Sequence, residues 1–182
     1  MRKIALSSLA LCAALLAGTQ GFAQTPPAPA PAGPPSAGGT PDKMPFDIPF
    51  GTDIIAANAR KLLDAAEAEA TKRGWKMNIA VVDTHGDLVA FVRMDGAQLA
   101  SISISQGKAR TAARYRRESR AFFNAYETGH PYVGTLDPGL IASPGGFPLV
   151  EGGKIIGAIG CSGGTGSQDE AVCSAAAATI GK

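Results

Sequence analysis

Hydrophobic positions along this chain change period several times, and each change marks an element. Ile55, Ala59, Leu62, Ala66 and Ala70 recur at three- and four-residue steps, with Arg60, Lys61, Asp64, Glu67 and Lys72 on other faces. That spacing predicts an amphipathic helix over residues 52–73, with Thr52 or Asp53 at its start and Gly74 as its stop. From Trp75 the pattern becomes strand-like. Trp75 to Val82 and Leu88 to Met94 flank the polar turn Asp83–Asp87, and Asp95-Gly96 ends the second run. A second apolar-turn-apolar unit lies within Ser143 to Glu170: Phe147 to Val150, the turn Glu151-Gly152-Gly153, and Lys154 to Cys161. Both read as β-hairpins, because β-branched and apolar runs surround residues that favour tight reversal.

Between the hairpins, Ala100 to Arg114 carries Ile102, Gln106, Ala109 and Ala113 on one helical stripe. Ser119 is placed to cap a short third helix through Ala121, Phe122 and Tyr126. Residues 128–146 are loop-rich, with a short strand expected near Leu140-Ile141. After Gly163–Gly166, Ser167 or Asp169 is expected to cap a last helix built on the small residues Ala171 to Ala178. The order α-β-β-α-(α)-β-β-β-α contains hairpins and no βαβ rhythm. It predicts an α+β domain in which helices cover an antiparallel sheet.

Two N-terminal segments stand apart from this domain. Arg2 and Lys3 precede an apolar run from Ile4 to Leu16, and Gly21-Phe22-Ala23 supplies small residues for cleavage. Residues 1–23 are therefore expected to be a secretory signal peptide, which places the protein in the periplasm or outside the cell. Cys12 fits a lipidation site poorly, because Leu11 precedes it and it lies inside the apolar run. The run is also short for a membrane span, so no stable membrane insertion is expected. Residues 24–45 are rich in Pro and Ala and lack the bulk to form a core; they are expected to be a disordered linker. The folded domain is expected over residues 46–182.

Charge excludes one class of partner. Two of the 17 basic residues, Arg2 and Lys3, fall in the expected signal, leaving 15 against 15 acidic residues. A balanced domain gives no support for nucleic-acid binding. The basic residues are nonetheless clustered: Lys108, Arg110, Arg114, Arg116, Arg117 and Arg120 are close in sequence. They form either a solvated helix face or a site for an anionic ligand. Cys161 and Cys173 follow a strand and open a helix, so the return of the chain can bring them into bridging range. They are a disulfide candidate, the alternative being two buried thiols.

The segments Ile79-Ala-Val-Val-Asp83, Gly86-Asp-Leu-Val-Ala-Phe91, Arg93-Met-Asp-Gly-Ala97, Lys108-Ala-Arg-Thr-Ala112, Gly145-Gly-Phe-Pro148, Gly157-Ala-Ile-Gly160 and Ser162-Gly-Gly164, with Asp169, form an ordered series. Together they resemble the GlcG/HbpS family of haem-binding proteins, related to the C-terminal domain of PduO. The resemblance implies a profilin-like sheet of five antiparallel strands with helices on both faces, and assembly into homo-oligomers. It further implies haem as the cofactor and a role in haem or redox sensing, or haem handling, with a sensor or transport partner. The chain departs from the family in three places. Helix 52–73 contains no His, Met, Cys or Tyr; Cys161 stands where Val is more typical; and Arg114-Tyr-Arg-Arg-Glu118 is unusually basic.

Haem iron takes His, Met, Cys thiolate or Tyr ligands. The chain has two histidines, His85 in the first hairpin turn and His130 in a loop bounded by Gly129 and Pro131. Both are axial candidates, with His130 favoured for its long loop and Tyr132 and Met94 as weaker ones. Arg93 or the Arg110–Arg120 cluster can supply partners for propionates. A second constellation, Arg93, Asp95 and Lys108, suits either a small anion or an ion-pair network between hairpin and helix. Gly160–Gly166 leads into a helix but lacks the Lys of a phosphate loop. Ser162 sits in a Gly-x-Ser-x-Gly string without the parallel-sheet setting of a hydrolase elbow. No zinc-ligand spacing is present. The leading expectation is an exported haem- or small-ligand-binding protein. The alternative is a small enzyme or accessory protein acting on an anionic metabolite in a catabolic operon.

Overall fold

The computed structural model describes residues 43, 44 and 46–180. The expected signal peptide and nearly all of the expected linker lie outside these residues. The elements run α1 (Ala56–Lys72), β1 (Asn78–Val82), β2 (Leu88–Arg93), α2 (Ser101–Tyr115), α3 (Arg120–Glu127), a 3₁₀ turn (Pro131–Thr135), β3 (Gly146–Glu151), β4 (Lys154–Ser162) and α4 (Gly166–Ala177). The strands form one antiparallel sheet in the order β2-β1-β4-β3.

The sheet separates two cores because successive side chains of a strand point to opposite faces. Ile79, Val81, Ile159 and Cys161 point toward α1 and α4, where they meet Leu62, Leu63, Ala66, Val172 and Cys173. Ala80, Val82 and Ala158 point the other way, toward Ala109, Ala112 and Ala113 of α2. All five residues of β1 are buried, as befits a strand covered on both faces. The α2 side is built from small residues, and the helix lies almost on the sheet. A Cβ at Gly160 would collide with the Ser105 carbonyl and the Ala109 amide.

The α+β architecture with helices on both faces holds, with four strands among the described residues in place of five. Leu140-Ile141 is not a strand, because the Ile141 amide donates to Thr111 Oγ1 (3.0 Å) and so joins no ladder. A different segment touches the sheet. Phe50 makes an isolated parallel bridge to Ile155, with Gly51 N donating to Ile155 O (2.7 Å) and Ile155 N to Pro49 O (2.9 Å).

Two helix starts also differ. α1 begins at Ala56, with Ile55 at the cap position, because the Asp53 carboxylate is taken by Thr84. α4 is capped by Thr165, whose hydroxyl accepts from Gln168 N while Gln168 Oε1 accepts from Thr165 N, a reciprocal capping box. Ser167 and Asp169 lie inside that helix, and Asp169 has another use.

Candidate functional site

Lys108 is 1% exposed, and α2 aims it at the end of β4 and the first turn of α4. Its Nζ donates to Asp169 Oδ2 (2.6 Å) and to the Cys161 carbonyl (3.1 Å). The other carboxylate oxygen of Asp169 accepts from the amides of Gly163 (3.0 Å) and Gly164 (2.9 Å). Gly145 and Gly146 line this junction; a Cβ on Gly146 would meet the Lys108 carbonyl and one on Gly145 would meet Asp169. Burial lowers the Lys108 amine from its ordinary range, opposed by its hydrogen bond to Asp169 and then by the carboxylate's charge. An ion pair this dry is a structural tie whose halves depend on each other.

The Arg93/Asp95/Lys108 constellation does not assemble. Arg93 and Asp95 are exposed. Arg93 pairs with Asn78, which pairs in turn with Ser162, so β2 lies two strand spacings, roughly 10 Å, from the β4 backbone that Lys108 touches. The amides of Gly163 and Gly164 are occupied by Asp169 and are not offered to an outside anion. Ser162 is buried and donates to Ser101 Oγ (2.9 Å), which leaves it no nucleophile's role. Cys161 and Cys173 form a disulfide with Cα atoms 5.6 Å apart; it joins β4 to α4 beside the ion pair, and both residues are fully buried.

The two histidines have different surroundings. His130 is exposed, with Nδ1 3.2 Å from Thr128 Oγ1 and its ring centre 6.1 Å from that of Tyr132, itself 61% exposed. His85 stands at a cleft. The turn that carries it is fixed by Asp83, whose Oδ1 accepts from the amides of His85 and Asp87 (2.9 Å each). Two arginines of α2 hold the turn from outside: Arg114 Nε donates to His85 O (2.9 Å) and Arg110 Nε to Gly86 O (3.3 Å). The cleft encloses about 510 Å³ between Phe50, Gly51, Thr84, His85 and Arg114.

Hydrogen bonding sets the tautomer of His85. Thr84 Oγ1 is 2.6 Å from Asp53 Oδ1 and 3.4 Å from His85 Nδ1. A carboxylate only accepts, so the Thr84 hydroxyl donates to Asp53 and its oxygen is left to accept from Nδ1–H. In the neutral ring Nε2 then carries the free lone pair. The hydroxyl and the amide of Thr84 both hold the Asp53 carboxyl below its ordinary value, which keeps this chain of donors in place. The ligand atoms of Asp53, Asp83 and His85 lie within 4.8 Å of one another. Both carboxylates are already accepting hydrogen bonds from the Thr84–Asp87 turn.

Sequence reading singled out His85 and Arg114 but not their neighbours. Phe50, Gly51 and Asp53 come from a segment distant in sequence, and Asp53 looked like a helix cap; Thr84 lies in the His85 turn but read only as a turn residue. No local spacing signals a contact between residues 53 and 84.

Comparison with known proteins places this fold among relatives. The family described as "Haem degrading protein HbpS-like" matches residues 54–178. The protein GlcG of Escherichia coli strain K12 is 44% identical over 104 residues, covering 57% of this chain and 77% of GlcG. The crystal structure of HbpS superposes with a TM-score of 0.67 at 28% identity, covering 75% of this chain and 96% of HbpS. A crystal structure of a PduOC:haem complex superposes with a TM-score of 0.65 at 25% identity, covering 71% of this chain and 96% of that one. With most of the domain matched in sequence and fold, the chain belongs to the HbpS-like family.

Proposed function

We propose that this protein is exported and binds haem at the His85 cleft. The observation that carries the reading is the pairing of His85 Nδ1 with Thr84, which leaves Nε2 free beside Phe50 and Arg114. An imidazole held through its far nitrogen is a well-oriented metal ligand. The donor set fits the group: a neutral nitrogen for iron, an aromatic ring for the porphyrin face and a guanidinium for a propionate. Bound there, haem would supply redox-active iron. The chain's own residues orient the imidazole, neutralise the carboxylates and shield one face. Relatives named for haem support this ligand class. Phe50, His85 and Arg114 would hold the haem. A sensor or transport partner, and assembly of the chain into homo-oligomers, belong to the same reading. A disulfide and an expected signal peptide support export, because such bonds persist in oxidising compartments.

Titration of the purified protein with hemin tests the site. The expected result is a saturable Soret shift at one hemin per chain, lost in His85→Ala and kept in His130→Ala. The opposite pattern moves the site to the His130 loop, and no shift in the parent removes the haem reading. Following the shifted band over time with added ascorbate separates storage from degradation. Fractionation of the source cells checks export, and light scattering checks assembly.

The second reading, an enzyme acting on an anionic metabolite at Arg93, Asp95 and Lys108, loses its basis because Lys108 is buried against Asp169.

A further inference from the structure

The basic stretch Arg114-Tyr-Arg-Arg117 has no role yet beyond Arg114. Its two later arginines turn away from the His85 turn and onto the segment that precedes α1. Arg116 Nη1 donates to the Ile48 carbonyl (3.2 Å), and its guanidinium carbon lies 5.6 Å from the Phe50 ring centre. The Arg117 guanidinium carbon lies 3.6 Å from the Phe46 ring centre and 4.6 Å from that of Phe122. Arg116 ends α2 in the left-handed region, with φ 55, the only non-glycine residue at positive φ among those described. Glycine would hold that position without a steric penalty, so arginine there indicates a use for its side chain.

We propose that residues 46–51 are a strap clasped by Arg116 and Arg117, and that the clasp sets ligand affinity by holding Phe50 and Gly51 as one wall of the His85 cleft. This rests on the haem reading for the ligand alone. The strap has few other attachments to the sheet: the Phe50 bridge to Ile155, with its two flanking amide bonds. α2 thereby secures both walls. Arg110 and Arg114 hold the turn of His85, and Arg116 and Arg117 hold the strap opposite. Arg116 and Arg117 are positioning residues, since neither lines the cleft itself. A strap docked only part of the time lowers apparent affinity by the fraction of time it is docked.

The test is Arg116→Gly in the full chain, which keeps the left-handed helix end and removes Arg116's half of the clasp. Phe46→Ala, which strips the ring from Arg117, is the companion from the strap side. Amide hydrogen exchange at Gly51 and Ile155 is measured without ligand, and hemin affinity is measured by titration. The expected result for either variant is faster exchange at Gly51, unchanged exchange at Ala80 and Val81, and a hemin Kd raised about tenfold, as for a strap docked roughly a tenth of the time. Unchanged exchange at Gly51 overturns the clasp. Faster exchange with unchanged hemin affinity overturns the strap as a cleft wall and leaves the haem reading standing. A parent chain that binds no hemin overturns the haem reading and, with it, the strap's role in affinity.

Discussion

Replacing Lys108 with Met keeps most of the volume of the side chain, shortens it by one atom and deletes its charge. Asp169 would then be a carboxylate buried at 2% exposure with two amide donors and no cation. Breaking a buried pair from one side costs about 3–5 kcal/mol, a large share of the roughly 5–15 kcal/mol that holds a domain together. Asp169→Asn keeps an acceptor for Gly163 and Gly164 but strands the ammonium, with a similar cost. The double variant Lys108→Met/Asp169→Asn leaves no buried charge. It should be more stable than the two single losses predict, by about 2 kcal/mol. Urea unfolding of the four proteins measures this. The pair also predicts a pH signature. Burial lowers the Lys108 amine below the ordinary 10.5, so between the lowered value and 10.5 the unfolded chain binds the extra proton. Stability contributed by that group therefore rises with pH across the window, and the margin of the parent over Lys108→Met should widen toward pH 10.5. Additive losses, or a Lys108→Met cost below about 1 kcal/mol, would refute the reasoning.

Three further outcomes follow from the geometry. Removing the disulfide with Cys161→Ala/Cys173→Ala frees a short loop and should cost about 3 kcal/mol, read as a lower urea midpoint, with the parent matching it only under reductant. Gly160→Ala drives a methyl into the Ser105 carbonyl and should cost at least about 2 kcal/mol, whereas Gly152→Ala, whose Cβ meets nothing, should lose only the strain of its positive φ. Thr84→Val removes the hydroxyl that links Asp53 to His85 and should weaken hemin binding about 10-fold or more with little change in thermal midpoint; equal affinity would show that the relay does not orient the ring.

The elements were legible wherever a single period ran for more than a turn or two. Apolar runs bounded by tight turns gave β1, β2 and β4, and the i, i+4, i+7 stripe from Ile55 to Ala70 gave α1. Boundaries failed where a polar side chain had a distant partner. Asp53 has every property of a cap, yet Thr84 claims it, and Asp169 serves Lys108 across 61 positions of chain. Leu140-Ile141 carries strand-forming residues, but the Ile141 amide goes to Thr111 instead of to a ladder. The site was half legible. His85 stood out as one of two histidines, but its exposed-turn appearance hid a cleft whose far wall, Phe50 and Gly51, is contributed by an irregular segment with no pattern of its own. Arg116 and Arg117 were visible as charge and invisible as contacts.

The capped start of α4 and the bonds around it carry a consequence for the order in which the domain assembles. Cys161 and Cys173 are separated by 12 positions and Lys108 and Asp169 by 61. Closing the longer loop from an open chain costs about 1.4 kcal/mol more in entropy. The β4–α4 segment can thus settle first, its thiols joined and its Asp169 already held by the two glycine amides. Lys108 then arrives at a formed socket as α2 docks, and the bare backbone of Gly145-Gly146 lets α2 and Asp169 pack that closely. A chain made without its bridge would have to organise that socket and fill it in one step, so oxidation late in maturation should show itself first as slow folding rather than as a different fold.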